Sequence, residues 1–266
     1  MSVEPVILVT GASRGIGHAA VELLLNGTEK FGKARVVALQ RTLPEPLVEL
    51  AARSDGNLAL VQGDVTNPED NARAVSTALD RWGHIDALIL NAGIIIEERI
   101  ADSNLERFAH VLNVNTVSLI ATLKAALPAL RASKGRVVMV SSGAATGRTS
   151  AWSAYNASKA ALNAIARTLA NEEPEIAVFS VRPGVVYTEM QTEIRAGTAM
   201  SAEEKEKFLS LHREGKLLAP RLPAHVIAAL AMNGTRESPV MPDGTGMGAT
   251  GGFLYWDVEQ LADFRE

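Results

Sequence analysis

Near its amino end the chain passes from a short apolar run into a glycine-rich turn and then into a helical pattern, and few folds accommodate that succession. Residues 5–10 (PVILVT) are apolar and β-branched, which is typical of a buried strand. The turn GASRGIG follows at residues 11–17, and the apolar periodicity of AAVELLL after it predicts a helix. Strand, glycine turn and helix in this order are the context of a dinucleotide-binding turn. The pattern therefore predicts an α/β fold with a nucleotide site at its first turn.

Three glycines of this turn are expected to have separate roles. Gly11 permits the sharp turn, Gly15 lets the backbone approach a pyrophosphate, and Gly17 lets the helix pack on the strand. Their spacing is G-x-x-x-G-x-G, which differs from the general fingerprint G-x-G-x-x-G. The N–H groups and positive dipole end of the following helix suit phosphates.

Apolar strand patterns alternate with helical patterns as far as residue 182, which predicts βαβ units and a parallel sheet. Further strands are expected at ARVVALQ, LALVQG, IDALIL, GRVVMVS and IAVFSVR, and helices near residues 68–82, 104–131 and 153–171. The predicted fold class is α/β. It is a single Rossmann-type domain over residues 1–266, with a doubly wound parallel sheet of about seven strands and helices on both faces.

A second sequence pattern indicates candidate catalytic residues. Tyr155 precedes Lys159 by four residues, and Ser142 lies thirteen residues before the tyrosine. On a helix, positions i and i+4 share a face, so the phenol and the ammonium would be neighbours. A free tyrosine has a pKa of about 10, and a nearby cation lowers it. Tyr155 is therefore a candidate proton donor to a ketone oxygen, or acceptor from an alcohol, with Ser142 hydrogen-bonded to the same oxygen.

The end of the second predicted strand indicates the cofactor. An Asp or Glu there would accept the ribose 2′-hydroxyl of NAD, whereas arginine accommodates the 2′-phosphate of NADP. This chain has Gln40 and then Arg41, with no carboxylate before Glu45, and Arg14 of the glycine turn is a second cation aimed at the same region. Guanidinium groups match phosphate geometry, so NADP is predicted.

Composition excludes several classes of function. The net charge of −4 offers no basic field, so neither nucleic acid nor a membrane is an expected partner. The chain has no cysteine, and its five histidines have no partner at a metal-binding spacing, so no metal is predicted. The charged residues 97–99 (EER) are expected to be exposed to solvent and to have no functional role. No signal peptide is visible, and the uncharged run 111–123 is too short for a membrane span, so the cytoplasm is expected.

Taken together, these motifs resemble the short-chain dehydrogenase/reductase family over nearly the whole chain. The matching segments are TGASRGIG (10–17), GDV (63–65), NAG (91–93), VLNVNTVS around Asn115, the Ser142, Tyr155 and Lys159 set, and RPGVVYT (182–188). The resemblance implies a catalytic tetrad of Ser142, Tyr155, Lys159 and Asn115, with Asn115 holding a water that relays the proton. It implies cofactor contacts from Gly11, Ser13, Arg14, Gly15, Ile16, Gly17, Arg41, Asp64, Val65, Asn91, Ala92, Gly93, Tyr155, Lys159, Pro183, Gly184, Val186 and Thr188.

Within the family, the segments SSGAATGRTSAWSAYNASKAALN, EEP and PGVVYTEMQTEIR resemble most closely the benzil reductase branch, which is related to sepiapterin reductase. That resemblance implies NADPH-dependent reduction of a ketone or 1,2-dicarbonyl. It also implies a substrate lid at residues 188–220, with Trp152 and Met190 as substrate contacts, and a homodimer or homotetramer formed through the helices near 104–131 and 153–171. The segment 235–250 is longer than in that branch.

Two other functions remain open on the sequence. The first is an alcohol, sterol or sugar dehydrogenase of the same family, because hydride transfer is reversible. The second is a non-catalytic NADP sensor, which would be expected to have lost the tyrosine or the lysine that this chain retains.

Overall fold

Seven parallel strands form one sheet in the computed structural model, which describes residues 4–266. The strands are β1 (Val6–Thr10), β2 (Arg35–Gln40), β3 (Leu58–Gln62), β4 (Ala87–Leu90), β5 (Arg136–Val140), β6 (Ala177–Arg182) and β7 (Phe253–Tyr255). Their order across the sheet is β3-β2-β1-β4-β5-β6-β7, and every neighbouring pair is parallel. The predicted doubly wound α/β class is confirmed.

Helices cover both faces of this sheet. They are α1 (Gly15–Asn26), α2 (Glu45–Ala52), α3 (Pro68–Trp82), α4 (Leu105–Leu112), α5 (Ser118–Ser133), α6 (Ser153–Glu172), α7 (Glu189–Ala196), α8 (Ala202–Arg213), α9 (Arg221–Asn233) and α10 (Met247–Thr250). Alternate strand residues face opposite sides. Ile7 and Val9 pack in one core with α1 and α9, whereas Val6 and Leu8 pack in the other with α3, α5 and α6. Burial on both faces explains the continuous apolar runs of the strands.

The strand order reverses between β1 and β4, and this point positions the site. In a doubly wound sheet, the connections leave the two central strands in opposite directions and open a crevice at their carboxyl ends. Thr10 and Leu90 are register partners there. Asn91, the next residue, donates its backbone N–H to the Thr10 Oγ1 at 3.1 Å. The turn after β1 and the segment after β4 consequently lie side by side.

The helix predicted over residues 104–131 is interrupted. A π-helical turn, Asn113–Val117, joins α4 to α5. Such a turn adds a residue to the helical repeat and reorients the side chains around it. By length and composition the whole stretch Leu105–Ser133 could cross a membrane, although the run 111–123 alone is too short. Its apolar character has another explanation, because Leu119, Leu123 and Leu130 are buried against the sheet.

Residues 188–220 depart from the strand–helix alternation, as the sequence predicts. They form α7 and α8, which pack beside the start of α6. Ile194 of α7 and Met200, just before α8, are buried in a small apolar cluster with Trp152 and Tyr155, and Phe208 of α8 packs against it. This segment covers the carboxyl end of the sheet next to α6.

Candidate active site

The glycine turn forms a close-packed cradle at the start of α1. Gly11 has a φ of +69°, a left-handed conformation that side chains with a Cβ rarely adopt. A Cβ on Gly17 would collide with the carbonyl oxygen of Gly11 and lie 2.6 Å from the Asn91 Nδ2. Asn91 Nδ2 donates to that same carbonyl at 2.9 Å and so holds the turn against the end of β4. The side chain of Arg14 makes no capping hydrogen bond to α1. The first-turn N–H groups of α1 are thus suited to an anionic ligand.

The far end of the cradle is built from β2 and the turn after β3. Arg41 is exposed there, and Gln40 before it is buried. Asp64 is held in place, because its carboxylate accepts hydrogen bonds from the Thr66 N–H at 2.9 Å and the Thr66 hydroxyl at 2.7 Å. This end presents a cation at the carboxyl end of β2, where the sequence predicts the 2′-phosphate contact.

Arg14 forms ion pairs that the sequence does not predict. Its guanidinium pairs with Glu189 of α7, and its Nη2 is 3.9 Å from the Glu193 carboxylate. The sequence predicts that Arg14 and Arg41 share one phosphate site; both line the same cavity, and here the carboxylates of α7 attract Arg14. Both side chains of the Arg14–Glu189 pair are more than half exposed, and exposed ion pairs contribute little, about 0–1 kcal/mol. A phosphate could therefore replace the carboxylates at small cost.

Ser142 and Tyr155 come together at the opposite end of the cradle from Arg41. Ser142 follows β5, and its Oγ accepts from the Ala144 N–H at 3.1 Å, which fixes the hydroxyl at the head of a short 3₁₀ turn. Tyr155 lies in the first turn of α6 and is only 7% exposed. Its Oη is 3.9 Å from the Met190 Sδ of α7.

The electrostatics of Tyr155 differ from the prediction. Burial raises the pKa of the phenol above its usual value of 10.0, and the neighbouring Ser142 hydroxyl partly offsets this rise. The sequence predicts that Lys159 lowers this pKa. The ammonium instead lies 5.8 Å from the centroid of the tyrosine ring and donates to the Val140 carbonyl at 2.8 Å. Burial, which disfavours the phenolate, is the larger effect.

The pKa of Lys159 is also shifted by its surroundings. It is 4% exposed, and burial lowers the pKa of its ammonium from 10.5 to about 8. The charged form is still favoured near pH 7, but it is lost in mildly alkaline solution.

This perturbation predicts a pH-dependent stability. Below pH 8 both the folded and the unfolded chain hold the Lys159 proton, whereas between about pH 8 and 10.5 only the unfolded chain holds it. The free energy of unfolding of the wild type should therefore rise, relative to that of Lys159→Met, by up to about 1.4 kcal/mol per pH unit across that window. Urea unfolding of both proteins at a series of pH values measures the difference. Parallel stability curves would show that the lysine titrates normally.

Asn115 lies in the π-helical turn and is fully buried. Its Oδ1 accepts from the Ile94 N–H at 2.8 Å, while its Nδ2 donates to the Ile94 carbonyl at 2.8 Å and to the Ser158 hydroxyl at 3.0 Å. The sequence predicts that Asn115 holds a water. In the structure its side-chain amide is committed to the segment after β4, so this residue braces the cradle beside Lys159.

A single cavity of about 600 Å³ joins these parts. Among the described residues, its lining includes every predicted site residue except Gly17 and Asn115: Gly11, Ser13, Arg14, Gly15, Ile16, Arg41, Asp64, Val65, Asn91, Ala92, Gly93, Ser142, Trp152, Tyr155, Lys159, Pro183, Gly184, Val186, Thr188 and Met190. Gly17 lies beneath the turn, where its role is close packing. None of the residues 235–250 lines the cavity; Gly248 instead packs against Phe179 of β6, on the apolar core.

Aromatic side chains close the end of the cavity at Tyr155. Trp152 meets Tyr155 edge-on at a centroid distance of 5.7 Å and stacks on Phe208 of α8 at 5.4 Å. Glu204 of α8 accepts hydrogen bonds from the backbone N–H and the hydroxyl of Ser150, and these bonds hold the pKa of Glu204 down at about 2. Helix α8 is therefore fastened to the loop before α6 by both stacking and charge-assisted hydrogen bonds.

Sequence reasoning missed several residues of the site. Glu97, predicted to be solvated, receives a hydrogen bond from the Trp152 Nε1 at 3.4 Å, and burial raises its pKa. Gln191 and Ile194 of α7 and Arg182 at the end of β6 line the cavity, whereas Glu97 lies behind Trp152 and outside the lining. The i, i+3 spacing of Gln191 and Ile194 is the one signal that could have predicted a shared buried face.

Comparison with known proteins identifies the relatives of this chain. A family model described as short chain dehydrogenase matches residues 5–199. The chain is 40% identical over 234 residues to an uncharacterized oxidoreductase of Schizosaccharomyces pombe, a match that covers 86% of this chain and 92% of that protein. It is 33% identical over 248 residues to an (S)-benzoin-forming benzil reductase of Saccharomyces cerevisiae, with 88% and 92% covered. The crystal structure of a short chain dehydrogenase/reductase from Saccharomyces cerevisiae superposes with a TM-score of 0.89 at 35% identity, covering 98% of this chain and 100% of that one.

Proposed function

Because this chain belongs to the short chain dehydrogenase family, we propose that it is an NADPH-dependent carbonyl reductase that converts ketones, 1,2-dicarbonyls among them, into hydroxy compounds. The observation that carries the proposal is the cavity in which Ser142, Tyr155 and Lys159 lie at one end and the glycine cradle at the other. The similarity to a benzil reductase supports the substrate class.

The residues present fit a dinucleotide. Gly11 and Gly17 leave no room for a Cβ, the first turn of α1 has free N–H groups for a pyrophosphate, and Asp64 and Val65 line the cavity near Arg41. Enzymes of the family use NAD or NADP. When bound, NADPH would supply the hydride that reaches the carbonyl carbon.

The catalytic side chains act on the carbonyl oxygen. The hydroxyls of Ser142 and Tyr155 hold that oxygen and stabilise the negative charge that develops on it. As the C–H bond forms, the π electrons of the C=O bond move to oxygen, which takes the proton of Tyr155. The phenol of Tyr155 is protonated at neutral pH, because its usual pKa is 10.0 and burial raises it further, so its proton is available to the ketone oxygen. Lys159 would bind the ribose hydroxyls of the cofactor, and Asn115 keeps the segment at Ile94 in position.

The remaining parts have supporting roles. We propose that residues 188–220 act as a substrate lid over one NADP-binding domain, with Trp152 and Met190 against the substrate, and that closure excludes water from the reacting atoms. Val117, the last residue of the π turn, and Ile120 of α5 are about half exposed, which supports pairing of α4, α5 and α6 between subunits in a homodimer or homotetramer. The cytoplasm remains the predicted location.

A substrate panel tests the proposal. We expect purified protein to oxidise NADPH with benzil and a second 1,2-diketone, to be slower with a simple aryl ketone, and to be inactive with a sugar or a steroid ketone. Turnover confined to the sugar or the steroid would agree with the proposed hydride transfer but would contradict the proposed substrate class. Binding of NADPH without turnover of any carbonyl would favour a sensor.

Cofactor preference is tested by removing the exposed arginine of the cradle. Arg41→Ala should lower kcat/KM for NADPH by about 10- to 100-fold, because a hydrogen bond to a charged group contributes about 1.5–3 kcal/mol. The value for NADH should change little, since NADH has no 2′-phosphate. Arg53→Ala is the matched control, because Arg53 is exposed and lies outside the cavity. Equal losses with both cofactors would contradict the assignment of Arg41.

A further inference from the structure

The lid contains a buried amide without a partner. Gln191 of α7 is 7% exposed, lines the cavity, and its Oε1 is buried with no hydrogen-bond partner among the described residues. An amide nitrogen and oxygen exchange places by a flip of the side chain, so the group offers either a donor or an acceptor. Buried polar side chains are nearly always hydrogen-bonded, which makes this one an exception that needs an explanation.

Asn115 shows what a structural amide looks like in the same protein. It is also buried, but both its Oδ1 and its Nδ2 are hydrogen-bonded to Ile94, and the Nδ2 also to Ser158. Gln191 has no such neighbours and stands beside Ile194, whose apolar cluster includes Trp152 and Tyr155. An apolar side chain at position 191 would suit that surface better, because an unpaired buried amide costs stability. The cost is explained if a ligand satisfies the amide.

We propose that Gln191 is a specificity-determining residue that hydrogen-bonds to the second oxygen of a 1,2-dicarbonyl substrate. The proposal rests on the function proposed above. One carbonyl oxygen lies between Ser142 and Tyr155, and the second oxygen, on the adjacent carbon, meets the amide of Gln191. Hydride addition occurs only at the first carbonyl, so the amide selects the substrate without taking part in the bond changes.

The position of α7 favours the substrate over the cofactor as the partner. Met190, the preceding residue, lies 3.9 Å from the Tyr155 Oη, and Ile194, one turn later, packs with the aromatic wall of the catalytic end. Thr188, three residues earlier in the chain, borders the phosphate end of the cavity, because its Cγ2 would lie 3.1 Å from a Cβ built on Gly15. Gln191 lies on the part of the lid that borders the reacting carbonyl.

The test compares Gln191→Met with the wild type on two matched ketones. Benzil has two adjacent carbonyls, and deoxybenzoin replaces one of them with a methylene group. Methionine has nearly the same length but no amide, so kcat/KM for benzil should fall by about 3- to 10-fold, the range of one neutral hydrogen bond. The value for deoxybenzoin should stay the same or rise. Benzil is intrinsically more reactive, so the informative quantity is the change in the benzil-to-deoxybenzoin ratio on mutation.

The Tm of ligand-free Gln191→Met distinguishes a ligand-binding role from a structural one, because the two roles predict changes of opposite sign. Removing an unpaired buried amide should raise the Tm of ligand-free Gln191→Met by about 2–4 °C, the shift expected for roughly 1 kcal/mol in a chain of this size. A lower Tm would identify Gln191 as a packing residue and overturn the proposal.

Gln40→Met is the matched control, since Gln40 is a second buried glutamine with an unpaired Oε1, at the Arg41 end of the same cavity. Its benzil-to-deoxybenzoin ratio should equal that of the wild type. A rise in KM for NADPH in Gln191→Met, or equal losses with both ketones, would assign the amide to the cofactor and overturn the proposal. If the wild type turns over the pair but Gln191→Met keeps its ratio, only this inference fails. If the wild type reduces neither ketone, the proposed function fails and this inference with it.

Discussion

Tyr155→Phe should lower kcat for ketone reduction by about 10²- to 10⁴-fold, the usual contribution of a general acid, while NADPH binds nearly as well as to the wild type. The substitution removes only the Oη that would donate the proton. The ring that Trp152 meets edge-on is kept, so the apolar cluster beside α7 and α8 stays packed. Loss of rate without loss of cofactor affinity is the result expected for a proton donor.

Single-turnover rates with excess enzyme and a fluorescence titration with NADPH separate the two quantities. Tyr187→Phe is the control, because Tyr187 is 60% exposed and does not line the cavity. It should retain wild-type rates. If Tyr155→Phe kept more than about a tenth of the wild-type rate, another group would have to supply the proton and the role given to Tyr155 would be wrong.

Gly17→Ala is expected to have the second largest effect, by damaging the cofactor cradle. Within a helix, replacing glycine by alanine ordinarily stabilises by about 0.5–1 kcal/mol. Here the new Cβ would meet the Gly11 carbonyl oxygen and lie 2.6 Å from the Asn91 Nδ2, and overpacking of this kind costs about 1–3 kcal/mol. The collision outweighs the helix propensity, so the turn must open away from β4. Because misplacement by about 1 Å can cost 10²-fold, kcat/KM for NADPH should fall by about that factor.

Gly32→Ala provides the comparison, since a Cβ at Gly32 has no atom within 4 Å among the described residues. Both variants lose one glycine, so effects of the unfolded chain are similar in the two. Circular dichroism and urea unfolding establish that Gly17→Ala is folded before NADPH kinetics are measured. Wild-type NADPH kinetics for a folded Gly17→Ala would mean that the turn tolerates the collision and that its close packing is not needed for the cofactor.

Local sequence patterns were sufficient to predict the strands, turn and helices that surround the candidate site. The strand, glycine turn and helix at residues 5–26 were readable because turn chemistry and apolar periodicity depend on neighbouring residues. The four-residue spacing of Tyr155 and Lys159 put both side chains on one face of α6, and the structure has both buried there. Alternating strands and helices likewise predicted a parallel sheet, whose carboxyl ends must meet at one edge.

Other features depend on segments that are distant in the sequence. The π-helical turn that commits Asn115 to Ile94 interrupts a pattern that otherwise predicts one continuous helix. Arg14 turns toward Glu189 because α7 folds back over the glycine turn. No local rule predicts either contact, since each joins residues that the fold alone brings together.

The sequence by itself determined the fold class and indicated the glycine turn as a candidate cofactor site, because both follow from residue type and short-range spacing. The candidate set of Ser142, Tyr155 and Lys159 needed the family resemblance as well. Tertiary structure alone decided the electrostatics: burial raises the pKa of Tyr155 and lowers that of Lys159, and the Oε1 of Gln191 in α7 is buried without a hydrogen-bond partner among the described residues. The physical reason is that desolvation depends on how distant segments pack around a group, which residue spacing does not encode.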